Sequence, residues 1–148
     1  MNIQVSIPRQ LITGYKIRAC RAWPSEFIAY IIGRRDGDSY QILDIWYPKN
    51  WKACCVEGQV NGDAAWWRDA MEFAAAKKMI PMGTIHTHTY RAGLTVFDEI
   101  PSLGDRESWE ELDRITGIAN VVELSNGKKR CGDPVFHGPP NNAEVTIK

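Results

Sequence analysis

His86 and His88 stand two residues apart in the run Gly83-Thr84-Ile85-His86-Thr87-His88. The run alternates like a strand, so both imidazoles fall on one face and Thr87 points the other way. Two imidazoles on one face can bind a single divalent metal at about 2.0–2.1 Å. The plainer alternative is one packed and one solvated histidine. Further along, Pro101-Ser102-Leu103-Gly104-Asp105 opens an expected helix. Ser-x-x-Asp resembles a capping box. An aspartate in the first turn can also face the end of the preceding strand and give its carboxylate to the two histidines. Two His and one Asp leave a fourth tetrahedral position for water, the arrangement of a catalytic zinc site rather than a structural one. Such a water needs a base to take its proton. Glu26 begins an apolar run after Trp23-Pro24-Ser25. A carboxylate at the mouth of a buried strand is unusual unless it is paired or working. The bland alternative is an exposed glutamate at a strand start.

These residues need elements to position them. Residues 3–7 alternate and predict a short edge strand. Pro8 stands where a helix can begin. From about Arg9 to Ala22 the apolar Leu11, Ile12, Tyr15, Ile17, Ala19 and Ala22 follow a helical stripe, which Trp23-Pro24 ends. Residues 26–33 (EFIAYIIG) are β-branched and aromatic and predict a buried strand. Residues 40–47 predict its antiparallel partner, across a turn containing Gly37. Residues 48–62 are irregular and hold Trp51 and Cys54-Cys55. A second helix is expected from Asp63, a cap, to Met79, with Trp66, Ala70, Phe73 and Ala74 on one face and Trp67 just off it. The strand 83–88 follows, and then a loop at 89–100. A third helix is expected from Ser102 to Ile115, with Trp109, Leu112 and Ile115 inward and Gly117 as C-cap. Residues 118–124 and a region from Pro134 to Val145 predict closing strands. The class is α/β (α+β), a mixed, mostly antiparallel sheet flanked by helices.

The 148 residues fit one domain, 1–148, and 44% hydrophobic with 24% charged residues is an ordinary soluble composition. The formal net charge is zero, which argues against a broad electrostatic footprint for nucleic acid. Lys128-Lys129-Arg130 follows Asn126-Gly127 and reads as a solvated hairpin turn. No segment reaches the roughly 20 apolar residues that span a bilayer. The first ten residues, MNIQVSIPRQ, lack a secretory leader pattern, so the expected location is cytoplasmic. Cys20, Cys54, Cys55 and Cys131 show no C-x-x-C spacing, and the expectation is reduced thiols rather than a redox or zinc-ribbon site. His137, beside Gly138-Pro139-Pro140, is expected at the surface.

Taken together, the Glu-led strand with Gly33 seven positions on, the H-x-H strand and Pro101-Ser102-x-x-Asp105 resemble the JAMM (MPN-domain, JAB-type) zinc metalloproteases, over about residues 4–137. The order of elements agrees with that family. This chain departs from its pattern in Thr89 where the family has Pro, in Ala29 where it has Gly, and in a longer stretch between His88 and Ser102. That stretch contains Asp98, a rival to Asp105 as third ligand. The resemblance implies a cytidine-deaminase-like fold and one catalytic Zn2+ held by His86, His88 and Asp105. It makes Glu26 the general base and then acid, and Ser102 a donor to the tetrahedral oxyanion. It also implies hydrolysis of a peptide or isopeptide bond, in a ubiquitin-like or sulfur-carrier protein with a Gly-Gly C-terminus. Chains this compact resemble prokaryotic or phage forms, some of which are tail-assembly endopeptidases. The alternative is a non-catalytic MPN-type scaffold. The loop from Tyr90 to Ile100 is expected to border the cleft, and Trp46, Tyr47 and Trp51 to form an interface or a substrate wall.

Overall fold

Proline brackets the first helix, α1 (Arg9–Ala22). The computed structural model describes residues 3–49, 55–56, 59–60, 64–90, 114–138 and 144–148. Pro8 supplies no side-chain cap. The Arg9 N–H instead donates to the Lys148 carbonyl at 2.7 Å, which satisfies one of the orphan donors of a helix start. Ile12, Tyr15, Ala19 and Ala22 form the buried face. Ile17, expected in that stripe, is 49% exposed. It lies about 200° round the helix from Tyr15.

The main sheet runs β10 (Glu144–Ile147), β1 (Gln4–Ile7), β3 (Ser39–Trp46), β2 (Ile28–Asp36), β6 (Ile80–Tyr90), β7 (Ile115–Glu123) and β8 (Lys129–Cys131), with β9 (Val135–His137) also on β7. The pairs β10–β1, β1–β3 and β6–β7 are parallel, and the others are antiparallel. A two-residue pair, β4 (Cys55–Val56) with β5 (Gln59–Val60), stands apart. The mixed α+β sheet agrees with the expected class. β1 is not at an edge as expected, because β10 covers its outer side.

Each face of the sheet carries its own core. Against α1 pack Phe27, Ala29 and Ile31 of the β2 segment, with Ile42, Ile85, Val121 and Phe136. On the opposite face Ile28, Tyr30 and Ile32 pack with Trp66, Ala70 and Ala74 of α2 (Ala64–Ala76). β2 therefore alternates between two buried sides, which explains its unbroken apolar run. Gly33 sits at a register shift against β3, and a Cβ there would lie 1.9 Å from the Gln41 carbonyl oxygen. Close backbone approach requires glycine at this position.

α2 stops three residues before the expected Met79. Met79 N–H donates to the Ala74 carbonyl and Lys78 N–H to the Ala75 carbonyl, a Schellman closure with Lys78 left-handed at φ 57°. β6 outruns the expected strand 83–88 at both ends, so Thr89 and Tyr90, expected in a loop, are strand; a further misplaced boundary is in the last quarter. Ile115 is not the inner face of a helix and Gly117 is not a C-cap, because both lie inside β7. A strand buried on both sides and rich in β-branched residues reads as one apolar run, which a helical period can absorb. His137 is only 5% exposed, not at the surface, because β9 pairs it with Thr116 of β7. Burial pushes the Cys131 thiol up to about 12, and Cys20 is raised for the same reason. Both thiols are free. Among the described residues no helix is long and apolar enough to cross a membrane.

Candidate metal centre

A bulge upstream of the two histidines sets which side of the sheet their shared face turns to. The β2–β6 register shifts at Ile31/Ile32, opposite Pro81 to Gly83. Gly83 has φ 153°, and a Cβ there would sit 1.8 Å from the Ile115 carbonyl oxygen. Only glycine fits that backbone approach. Downstream of the bulge Ile85 packs in the α1-side core. His86 pairs with Ile28, whose side chain packs on the α2 side. Alternation then puts His86 and His88 on the α2 side and Thr87 on the α1 side.

His86 is 7% exposed and His88 is half-buried. Their ring centroids are 5.3 Å apart, with planes at 53°. Alternate residues on a strand stand about 6.6 Å apart. The two rings therefore lean toward each other. Two imidazoles bound tetrahedrally to one ion at about 2.0–2.1 Å would hold their centroids about 5 Å apart. The observed spacing fits a shared ion.

Glu26 lies two residues before β2 begins, not at its first position as expected. The antiparallel register still locates it. Ile28 pairs with His86, and Thr87 N–H donates to the Phe27 carbonyl at 3.1 Å. Glu26, half-buried, is the residue just before this last bonded position. Phe27 is fixed by two further bonds. Its N–H donates to Thr87 Oγ1 at 2.8 Å, and its carbonyl accepts from the Tyr15 hydroxyl at 3.0 Å.

Beside this group, β7 runs parallel to β6 and places Asn120 next to His88. Asn120 is buried, and its backbone carbonyl accepts from Gly132 N–H at 3.0 Å. Neither Asn120 nor Thr87 is among the residues expected at the site. The available signal for Asn120 was one amide inside the apolar run IANVVEL. Aromatic rings floor the same face. Tyr30 meets Trp46 edge-on at 5.6 Å and Trp67 at 5.9 Å, and the Arg114 guanidinium lies 3.4 Å from the centre of the Trp67 ring. Burial lowers the Arg114 pKa. Trp46 thus packs on the same side of the sheet as the histidines. Tyr47 belongs to the other side, with Tyr15 and Phe27, under Arg18 at 4.2 Å.

Ser102, Asp105 and the rival Asp98 lie outside the described residues, as do Trp51, Cys54 and residues 91–100 of the expected cleft loop. Among the described residues no group of three or more His, Cys, Asp or Glu comes together as a metal cluster. His86 and His88 are the candidate ligands that the described residues include.

No family model matches this sequence. No curated protein matches it either. Among the solved structures that match this chain are two that cover nearly all of it. A protein of Desulfitobacterium hafniense, solved in solution, superposes with a TM-score of 0.65 at 15% identity, covering 98% of this chain and 93% of that one. That likeness shows a shared fold over nearly the full length of both chains. A protein of Archaeoglobus fulgidus described as a JAB1/MPN domain protein superposes with a TM-score of 0.49 at 17% identity, covering 97% of each chain. The second superposition is too loose to bear on function.

Proposed function

We propose that this chain is a zinc-dependent peptidase or isopeptidase of the JAMM (MPN-domain) type. The observation that carries the reading is the pair of imidazoles with centroids 5.3 Å apart on one face of β6, whose partner strand β2 begins two residues after Glu26. His86 and His88 hold the ion. Asp105, or Asp98 in its place, completes the set from the segment that follows Tyr90. The ion supplies Lewis acidity to the scissile carbonyl and to the attacking water. Glu26 takes a proton from that water and returns it to the leaving amine, the two-way duty of a general acid–base. Ser102 donates a hydrogen bond where negative charge develops on the carbonyl oxygen. Tyr30, Trp46 and Trp67 form an apolar cluster on the same side of the sheet. The substrate class is a ubiquitin-like or sulfur-carrier protein cut after Gly-Gly, and the setting is the cytoplasm.

The test is a screen of ubiquitin-like fusions bearing Gly-Gly junctions, run with and without a chelator and against Glu26→Gln. Cleavage that stops with either treatment supports the reading. Cleavage that survives both sinks the mechanism. A wild-type chain that cleaves no fusion and holds no metal is a scaffold.

A further inference from the structure

We infer that Thr87, the residue between the two histidines, is a positioning residue for Glu26. The inference rests on the peptidase reading above. The β2–β6 ladder is regular from Ile31 to Ile28. At the next pair, Phe27 with Thr87, an antiparallel hydrogen-bonded pair would exchange two backbone bonds. One of them is present, from Thr87 N–H to the Phe27 carbonyl at 3.1 Å. The reciprocal donor, Phe27 N–H, goes to the Thr87 side-chain oxygen at 2.8 Å instead. The hydroxyl replaces a ladder carbonyl where the chain leaves the strand. Thr87 is 0% exposed, so this bond has no competing water. Tyr15 closes the clamp on the Phe27 carbonyl from α1.

The clamp joins the carboxylate to the metal strand by the shortest route. Glu26 is bonded to Phe27, and Thr87 is bonded to both His86 and His88. Thr87 points away from the metal face, so it touches neither ion nor substrate. It sets where the Glu26 carboxylate stands relative to the two imidazoles. A misplacement of about 1 Å can cost about 100-fold in rate. A strand former placed between two ligands therefore also fixes the base.

The test uses the full chain with Thr87→Val, which keeps shape and loses the acceptor, Thr87→Ser, which keeps it, and Ile42→Val as a core control in β3. Amide hydrogen exchange on the metal-free chain should speed up at least about tenfold at Phe27 in Thr87→Val and return toward wild type in Thr87→Ser. Zinc affinity should stay within about threefold in both, because the imidazoles are untouched. On a ubiquitin-like Gly-Gly fusion, kcat should fall about 10- to 100-fold in Thr87→Val with KM nearly unchanged, and Thr87→Ser should restore it. Ile42→Val should leave kcat alone. If Thr87→Val does not fold, Thr87→Cys, with its weaker acceptor, carries the same readings. Unchanged Phe27 exchange, or a kcat loss that serine fails to restore, overturns the inference while leaving the peptidase reading intact. A wild-type chain that cleaves no fusion overturns the peptidase reading and the catalytic part of this one together.

Discussion

The two faces of β6 carry different kinds of residue to different ends. On the α1 side Ile85 and Thr87 are fully buried, one in the core and the other in a hydrogen bond to Phe27. On the α2 side His86 and His88 lean toward each other, and His88 stays half-buried. A single strand thus packs a core with one face and presents the candidate ligands on the other, and the one-residue alternation keeps the two separate. The lesson is that the site stands on a rigid, doubly bonded strand, with β2 on one side and β7 on the other. Ligand positions on such a strand are set by packing that the ligands themselves do not share.

The largest effect that can break this comparison is on turnover. Glu26→Gln should lower kcat by about 10²- to 10⁴-fold, the range for a lost general acid–base, with unchanged thermal stability and zinc content. A matching fall in zinc content would make Glu26 a ligand. Next in size is a contrast between faces. Ile85→Ala should cost about 2–5 kcal/mol in denaturant unfolding, as a large-to-small change in a full core. His88→Ala should cost under about 1 kcal/mol in the metal-free chain, because the side chain is half-buried. Equal losses would mean that the histidine face is core as well.

A smaller effect tests the end of α2. Lys78 holds a left-handed φ of 57° without being glycine. Lys78→Gly should raise stability by about 1 kcal/mol in thermal unfolding. The smallest is a pH effect far from the site. Hydrogen bonds from Lys16 and Arg9, both 3.0 Å, hold the Asp133 carboxyl below its ordinary value of 3.8. A lowered folded-state pKa means stability that is present above the ordinary value and lost as pH falls through the folded one. Asp133 is 41% exposed, so the pair is worth under about 1 kcal/mol. Asp133→Asn should flatten that part of the acid unfolding curve and leave the neutral range nearly unchanged.

The legible parts of the chain are those with local punctuation. Prolines bracket α1, and both its ends were readable. Strict alternation around His86 and His88 places them on one face from the sequence alone. The end of α2 was not readable because a lysine, not a glycine, takes the left-handed cap. The start of β7 was missed because Ile115 also satisfies a helical period. His137 was misplaced because the neighbouring Gly-Pro-Pro suggests surface, whereas its pairing partner Thr116 is 21 residues away in sequence. Thr87 and Asn120 gained their places only from register, since cross-strand partners are not encoded by neighbours along the chain. Asp105 and Ser102 stand on the family resemblance alone.

Zinc binding by the purified full-length chain tests the central claim most directly. Titration calorimetry or elemental analysis should find one zinc ion per chain, with affinity falling about 100-fold or more in either His86→Ala or His88→Ala. A chain that binds no zinc, or binds it equally well without either histidine, would contradict the account.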